Sequence, residues 1–183
     1  MRSAFLSTYM PFSVQATAGT GINYLLPLAV AYLESAAGTN TLAREANNLH
    51  SIKAGKSWQG PKFILLTPEY KRGQKVQELA SFRKYSSPLD SFKDFVKLMS
   101  LPRYKAVKQQ TTLLGQIAAL AAAGYATDPA YKNKLESVAG ALRKVTNVKT
   151  TASAGSFTGA LVALTAGAGA FIIYKLVKNG QQK

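Results

Sequence analysis

Cysteine is absent from this chain of 183 residues, and histidine occurs once, as His50. The absence of cysteine excludes disulfide bonds, thiolate metal sites and thiol nucleophiles. A single imidazole is a poor basis for a zinc site or a Ser-His-Asp triad. We therefore expect no metal and no organic cofactor.

Acidic residues are scarce, because only eight carboxylates stand against 23 lysines and arginines. Acid–base chemistry by carboxylates must choose from these eight. They are Glu34, Glu45, Glu69, Glu78, Asp90, Asp94, Asp128 and Glu136. The net charge of +15 favours a polyanion or an anionic surface as partner, with nucleic acid, anionic lipid and the bacterial wall as candidates. The basic residues are spread along most of the chain, which also fits a generally solvated basic surface.

An almost wholly apolar run from Tyr24 to Leu33 predicts a buried helix, with Asn23 as its cap and Gly38 marking its end. Glu34 follows directly after this run. Desolvation there would raise the pKa of the Glu34 carboxyl and keep it protonated, as a general acid for glycosidic cleavage requires. The alternative is a solvated glutamate at the surface.

A small β-lobe is predicted in the middle of the chain. Phe63–Leu66 is a β-prone run, residues 71–74 are typical of a hairpin tip, and Val76–Tyr85 alternates in part like a returning strand. Helices are predicted to follow the lobe. They begin at Ser87-Pro88, extend over Leu113–Ala123, and run from Asp128-Pro129 to about Val145.

An uncharged segment of 25 residues extends from Thr150 to Tyr174. Since roughly 20 residues cross a bilayer, it predicts one transmembrane helix, although a buried helix of the globular domain is the alternative. Small residues recur every four positions from Gly155 to Gly167, which would allow helix–helix self-association in lipid, unless small residues are simply common here.

The chain is therefore predicted to comprise a domain at 1–147, a linker at 148–156, a transmembrane helix at 157–177 and a basic tail at 178–183. The N-terminal apolar stretch is short and broken by polar residues and Pro11, so we interpret it as the start of the domain and not as a secretory signal.

Several motifs in order resemble the bacterial glucosaminidases of glycoside hydrolase family 73, which includes the hydrolase domain of flagellar rod proteins and many autolysins. The resemblance covers roughly Phe5 to Val145. The matching segments are Leu28–Gly38 with its Glu-Ser pair, Asn48–Lys53, Trp58–Pro61, Thr67–Tyr70 with Gly73, Phe82–Ser87, Pro102–Tyr104 with Val107, and Gly124–Pro129 with Tyr131, Lys134 and Leu135.

The resemblance implies a lysozyme-like α+β fold, mainly helical with a small β-hairpin lobe. It also implies that Glu34 is the general acid, that Glu69 is a second carboxylate, and that Tyr125 holds the substrate or supports the transition state. Glu78 and Asp90 are reserve candidates for the second carboxylate. The implied substrate-binding residues are Asn48, His50, Trp58 and Tyr85.

Two departures from the family pattern lie close to Glu34 in the sequence. The family commonly has Gly-Trp-Gly after Glu-Ser, where this chain has Ala36-Ala37-Gly38. It has Phe-Gly after Asn-Leu, where this chain has His50-Ser51. A sugar-stacking aromatic is lost at the first, and His50 either lines the cleft or fills space at the second.

The expected function is endo-β-N-acetylglucosaminidase action on peptidoglycan glycan strands. A muramidase or a lytic transglycosylase is the nearest alternative, and a non-catalytic basic protein that binds wall or DNA is the alternative from another class, although nucleic acid is the less favoured partner. The predicted lipid anchor suggests a membrane-anchored enzyme in a bacteriophage virion membrane or in the bacterial cell envelope.

Overall fold

In this computed structural model, the structure describes residues 2–71 and 74–153, with the backbone alone at 68–71, 74–76 and 147–153. Seven α-helices and two strands lie in these ranges. They are α1 Arg2–Thr17, α2 Leu25–Glu34, α3 Thr41–Ala46, β1 Lys62–Lys71, β2 Gln74–Arg83, α4 Pro88–Leu98, α5 Lys105–Lys108, α6 Leu113–Ala122 and α7 Tyr131–Ser153, with a 3₁₀ turn at Pro102–Tyr104.

The core is built around α2. Every residue from Leu25 to Ala31 is buried, and a helix that is apolar on all sides belongs in the interior of a domain. Asn23 accepts the Leu25 amide through Oδ1 at 2.9 Å, as predicted for the start of this helix. The helix ends at Glu34, and Gly38 adopts a φ of 83° in the turn that follows. The central helix therefore carries Glu34 to the edge of the core.

The N-terminal helix α1 has no clear signal in the sequence, because Pro11 and several serines and threonines interrupt its apolar positions. It packs into the core through Phe5 and Leu6, and the Ser13 hydroxyl donates to the Tyr24 carbonyl at 2.7 Å. These contacts agree with the interpretation of the N-terminal residues as part of the domain.

The predicted hairpin is confirmed. Strands β1 and β2 pair antiparallel in continuous register from Lys62↔Arg83 to Lys71↔Gln74. Its base is fixed to the helical body, because the Asn48 side chain donates to the Arg83 carbonyl at 2.8 Å. An isolated bridge between Lys53 and Phe82 adds a second attachment.

Ser87 caps α4 as predicted, since its hydroxyl accepts the Asp90 amide and Pro88 occupies the first turn. The last helix differs from the prediction at both ends. It begins at Tyr131, because Asp128 accepts the Ala130 amide in a turn before the helix. It continues past Val145 to Ser153, so the first six residues of the predicted linker are helical.

The chain divides into two units, one comprising residues 1–149 and the other residues 150–183. Among the described residues, no helix is long and apolar enough to cross a bilayer. The predicted transmembrane segment at 157–177 lies outside the described residues and stays a prediction.

Candidate active site

Glu34 lies at the C-terminal end of α2, half-buried, with the fully buried Ser35 behind it. The turn after it is tightly bonded. The Ser35 hydroxyl donates to the Ala31 carbonyl at 2.5 Å and accepts the Gly38 amide at 2.7 Å. The Asn40 amide group donates to the Glu34 carbonyl at 2.8 Å. These hydrogen bonds fix the backbone of Glu34 to the end of α2 and to the turn that follows.

Burial raises the pKa of the Glu34 carboxyl above its ordinary value, although interactions with the Tyr131 and Ser51 hydroxyls lower the pKa in part. Desolvation disfavours the charged form more than the two hydroxyls favour it. A raised pKa widens the pH range over which the carboxyl keeps its proton, which is the direction that a general acid needs.

The Glu34 pocket, as we call it, has a volume of about 270 Å³ and lies beside the end of α2. Its opposite wall is the loop between α6 and α7 and the first turn of α7. The lining residues are Leu33, Glu34, Ala126, Thr127, Asp128, Tyr131 and Lys134. Lys134 and Asp128 form an ion pair of 2.5 Å at this wall. The pocket thus combines one half-buried acid with polar groups that can meet a sugar.

Tyr131 is the residue of this wall that sequence reasoning did not assign a role. Its side chain is buried, and its hydroxyl has no standard hydrogen-bond partner among the described residues. It is nevertheless close enough to Glu34 for the two groups to shift each other's pKa, and burial together with Glu34 raises the pKa of Tyr131. The match of Tyr131 to the family's closing motif was its only sequence signal.

Tyr125 lies next to this wall, with its ring stacked on that of Tyr131 at 6.1 Å between centroids. Its hydroxyl donates to the His50 carbonyl at 2.8 Å. Burial, with the charges of Tyr131 and Glu34 next, raises the pKa of Tyr125 well above its ordinary value. The phenol is therefore neutral and close to Glu34, although its proton is already donated to the protein.

Asn48 and His50 are buried and bonded to protein groups. The Asn48 side chain donates to the carbonyls of Ile52 and Arg83 and accepts the Ile52 amide. His50 places Nδ1 at 2.9 Å from the Ser91 hydroxyl and Nε2 at 3.2 Å from the Pro27 carbonyl. Burial lowers the pKa of His50 to about 3, so the ring is neutral. In this structure neither side chain is accessible to a substrate, and both hold the loop beneath Tyr125.

Trp58 and Tyr85 meet each other, not the Glu34 pocket, with ring centroids 5.8 Å apart. Arg83 lies over the Trp58 ring at 4.7 Å. Asp94 of α4 accepts from both Arg83 and the Tyr85 hydroxyl at 2.6 Å. We call Trp58, Arg83, Tyr85 and Asp94 the hairpin-base cluster. It joins the lobe to α4, and sequence reasoning did not identify Asp94 as its centre.

The backbone of Glu69 lies in β1 opposite Val76, and its side chain is outside the described atoms. Its role as second carboxylate therefore stays a prediction. The Asp90 carboxylate belongs to the cap of α4, where it accepts a hydrogen bond from the Ser87 hydroxyl at 2.8 Å. Glu78 is exposed on β2.

Both departures from the family pattern place a side chain where the backbone is left-handed. Ala36 has a φ of 50° and Ser51 a φ of 52°. The resemblance aligns each with a glycine, which adopts such angles without a steric cost.

The described residues contain no cluster of three or more histidines and carboxylates that could hold a metal ion.

A helical body with a hairpin lobe and one half-buried glutamate at the end of its central helix defines a lysozyme-like glycosidase domain. Residues 11–144 match the family described as mannosyl-glycoprotein endo-beta-N-acetylglucosaminidase, and the chain belongs to this glucosaminidase family. The predicted family and the lysozyme-like fold are confirmed.

The relatives agree with this assignment. The chain is 41% identical over 128 residues to the peptidoglycan hydrolase FlgJ of Salmonella typhimurium, a match that covers 67% of this chain and 40% of that protein. It is 33% identical over 119 residues to the exo-glucosaminidase LytG of Bacillus subtilis, covering 62% and 42%. A crystal structure of a peptidoglycan hydrolase mutant from Sphingomonas sp. A1 superposes with a TM-score of 0.70 and 34% identity, covering 79% of this chain and 98% of that one. The chain spans less than half of the length of the curated relatives it matches.

Proposed function

We propose that this chain hydrolyses the β-1,4 glycosidic bonds of peptidoglycan as an endo-β-N-acetylglucosaminidase, with Glu34 as the general acid. The observation that carries the proposal is the half-buried Glu34 carboxyl, whose pKa is raised and which lines a pocket of sugar-sized volume. The names of the relatives support peptidoglycan as the substrate. One relative is named an exo-glucosaminidase, so endo or exo action is a point for experiment.

The hairpin supplies the second carboxylate in this proposal. Glu69 lies on β1, and the hairpin-base cluster joins the base of this hairpin to α4. A wide separation of the two carboxylates leaves room for a water and gives inversion, whereas a substrate acetamido nucleophile gives retention. Glu69→Gln should reduce activity, and Glu78→Gln on the opposite strand should leave it intact.

The net charge of +15 supports the same substrate, because peptidoglycan and its attached polymers are acidic. Attraction of this kind weakens as salt screens it. Binding of the chain to purified walls should therefore fall between 50 mM and 500 mM salt, while the bond that is cleaved stays the same.

The test uses the full chain on purified peptidoglycan, with Glu34→Gln as the inactive variant and Glu45→Gln as the matched control. Glu45 is an exposed glutamate of α3 that is not among the residues lining the Glu34 pocket. Released fragments are reduced with borohydride, and mass spectrometry identifies the sugar at the reducing end. Reduced N-acetylglucosamine from wild type and Glu45→Gln, but not from Glu34→Gln, is the expected result.

The other outcomes assign the alternatives. Reduced muramic acid would mean a muramidase, and anhydro-muramic ends would mean a lytic transglycosylase. If the folded chain bound walls and released no fragment, a non-catalytic binding protein would replace the enzyme.

We also propose that residues 157–177 anchor the chain in a bilayer. The support is the absence of charge over 25 residues before Lys175. Wild type should stay in the membrane pellet after alkaline carbonate extraction, and Leu164→Arg with Ile172→Arg should be released. Release of the wild type would contradict the anchor. Location in a phage virion membrane or in the bacterial envelope, and self-association through the small residues, stay predictions.

A further inference from the structure

The hairpin exposes large aliphatic side chains on one of its faces. Ile64 is 66% exposed, Leu66 57% and Leu79 69%. Leu66 and Leu79 are directly opposed in the register, and Ile64 lies two residues along β1 from Leu66. Residues two apart on a strand and residues directly opposed share a face, so the three side chains form one continuous surface, which we call the hairpin patch.

The opposite face of the hairpin is the one that packs. Phe63 and Phe82 are opposed in the register, and Phe82 is buried against the helical body. The hairpin patch uses even-numbered positions of β1, whereas Phe63 and position 69 are odd-numbered and belong to the opposite face. Its surface is therefore separate from the proposed catalytic site, and no described residue covers it.

The chain segment that carries the hairpin patch is rich in basic residues. The sequence from Lys53 to Lys84 contains eight lysines and arginines and two glutamates. The lysines at 53, 56, 62 and 84 are exposed in the structure. An exposed aliphatic surface on a basic segment has the composition of protein surfaces that bind anionic lipid, since the aliphatic groups enter the headgroup region while the cations meet the lipid charge.

We infer that the hairpin patch docks on an anionic lipid surface. A glycan is a poorer fit, because sugar rings pack on aromatic faces and the three residues are aliphatic. A second copy of the chain is disfavoured by repulsion between two chains of net charge +15. The inference does not depend on the predicted anchor at 157–177.

Because the chain contains no cysteine, a single introduced cysteine can be labelled specifically. The full chain carries Leu66→Cys labelled with the environment-sensitive fluorophore NBD and is mixed with vesicles of 30% phosphatidylglycerol in phosphatidylcholine. The matched control is Leu114→Cys, on α6, which is 59% exposed. The expected result is a blue shift with at least a two-fold rise in intensity at position 66 and no change at position 114. Pure phosphatidylcholine vesicles should give a much smaller response.

Ile64→Ser with Leu79→Ser, added to labelled Leu66→Cys, should abolish most of the response, and circular dichroism shows that the fold is kept. No response at position 66, or an equal response at position 114, would overturn the inference. An equal response with neutral vesicles would also overturn it. So would a response without vesicles, on concentrating the protein (a second copy) or on adding soluble peptidoglycan fragments (a glycan surface).

Discussion

The helical body and the hairpin differ in the solvent exposure of their apolar side chains. In the body, Leu26 and Leu28 of α2 are completely buried, whereas on the hairpin Leu66 and Leu79 are more than half exposed. Two strands alone cannot bury both of their faces. The body therefore provides the stability that holds Glu34 in place, and the hairpin provides a surface for contacts with other molecules.

The sharpest contrast is between one leucine from each region. Leu28→Ala leaves a cavity in the core and should lower the free energy of unfolding by about 2–5 kcal/mol. Leu79→Ala removes an exposed side chain and should change it by less than about 0.5 kcal/mol. Urea unfolding followed by circular dichroism measures both. Similar losses in the two variants would mean that the hairpin patch is covered in the folded chain.

The connection between the two regions depends on Asp94. Asp94→Ala leaves the Arg83 guanidinium and the Tyr85 hydroxyl without their acceptor in a nearly buried setting, since the Arg83 and Asp94 side chains are 15% and 13% exposed. We expect a loss of about 2–4 kcal/mol in thermal or urea unfolding, with a fall in kcat/KM.

Glu136→Ala is the matched control for Asp94→Ala. It breaks the exposed pair with Lys132, whose side chain is 49% exposed, and should cost less than about 0.5 kcal/mol. Equal losses in the two variants would show that the hairpin-base cluster contributes no more than a surface ion pair.

The turn after Glu34 carries a conformational cost that can be removed. Ala36→Gly relieves a left-handed alanine, which costs about 1–2 kcal/mol, and loses about 0.4–1 kcal/mol through the greater freedom of the unfolded chain. The net expectation is a gain of about 0.5–1 kcal/mol in the free energy of unfolding. Ala29→Gly, in the middle of α2, should destabilise instead. A loss of stability in Ala36→Gly would contradict the assigned backbone strain.

The Tyr131 hydroxyl tunes the pKa of the Glu34 carboxyl. The hydroxyl lowers this pKa, so Tyr131→Phe should raise it. Because a general acid works when protonated, the alkaline limb of the pH profile of kcat should move to higher pH. By linkage, the same rise in pKa should lower the free energy of unfolding above the pKa and leave it unchanged below about pH 3, where the carboxyl is protonated in both states. Tyr32→Phe, away from the pocket lining, is the control, and an unmoved limb in Tyr131→Phe would contradict the assigned interaction.

The sequence allowed much of this fold to be predicted where local chemistry decides the structure. Ser87-Pro88 carries its own cap, the β-prone run at 63–66 pairs as expected, and the apolar run before Glu34 is a buried helix. The helix α1 could not be predicted in the same way. Its few buried residues are scattered among serines and threonines, and it is held by contacts with α2 and α4 that no local pattern contains.

The candidate site was predictable for its acid and less so for its surroundings. The apolar helix before Glu34 suggested a desolvated carboxyl but left a solvated surface glutamate open, and the resemblance to the family decided for the acid. The resemblance implied substrate contacts for Asn48 and His50, whereas packing buries both side chains in this structure. Tyr131 acts on Glu34, which is distant in sequence, and Asp94 of α4 binds two residues at the end of the hairpin; only the folded chain shows either contact.

The most direct test of the central claim is the pKa of the Glu34 carboxyl, followed by NMR of glutamate labelled with carbon-13 in the side-chain carboxyl. The resonance is assigned by its loss in Glu34→Gln. The account predicts a midpoint clearly above about 4.3, the ordinary value for glutamate, because burial outweighs the Tyr131 and Ser51 hydroxyls. A midpoint at or below that value would mean that burial does not favour the protonated carboxyl, and it would contradict the account of Glu34 as the general acid.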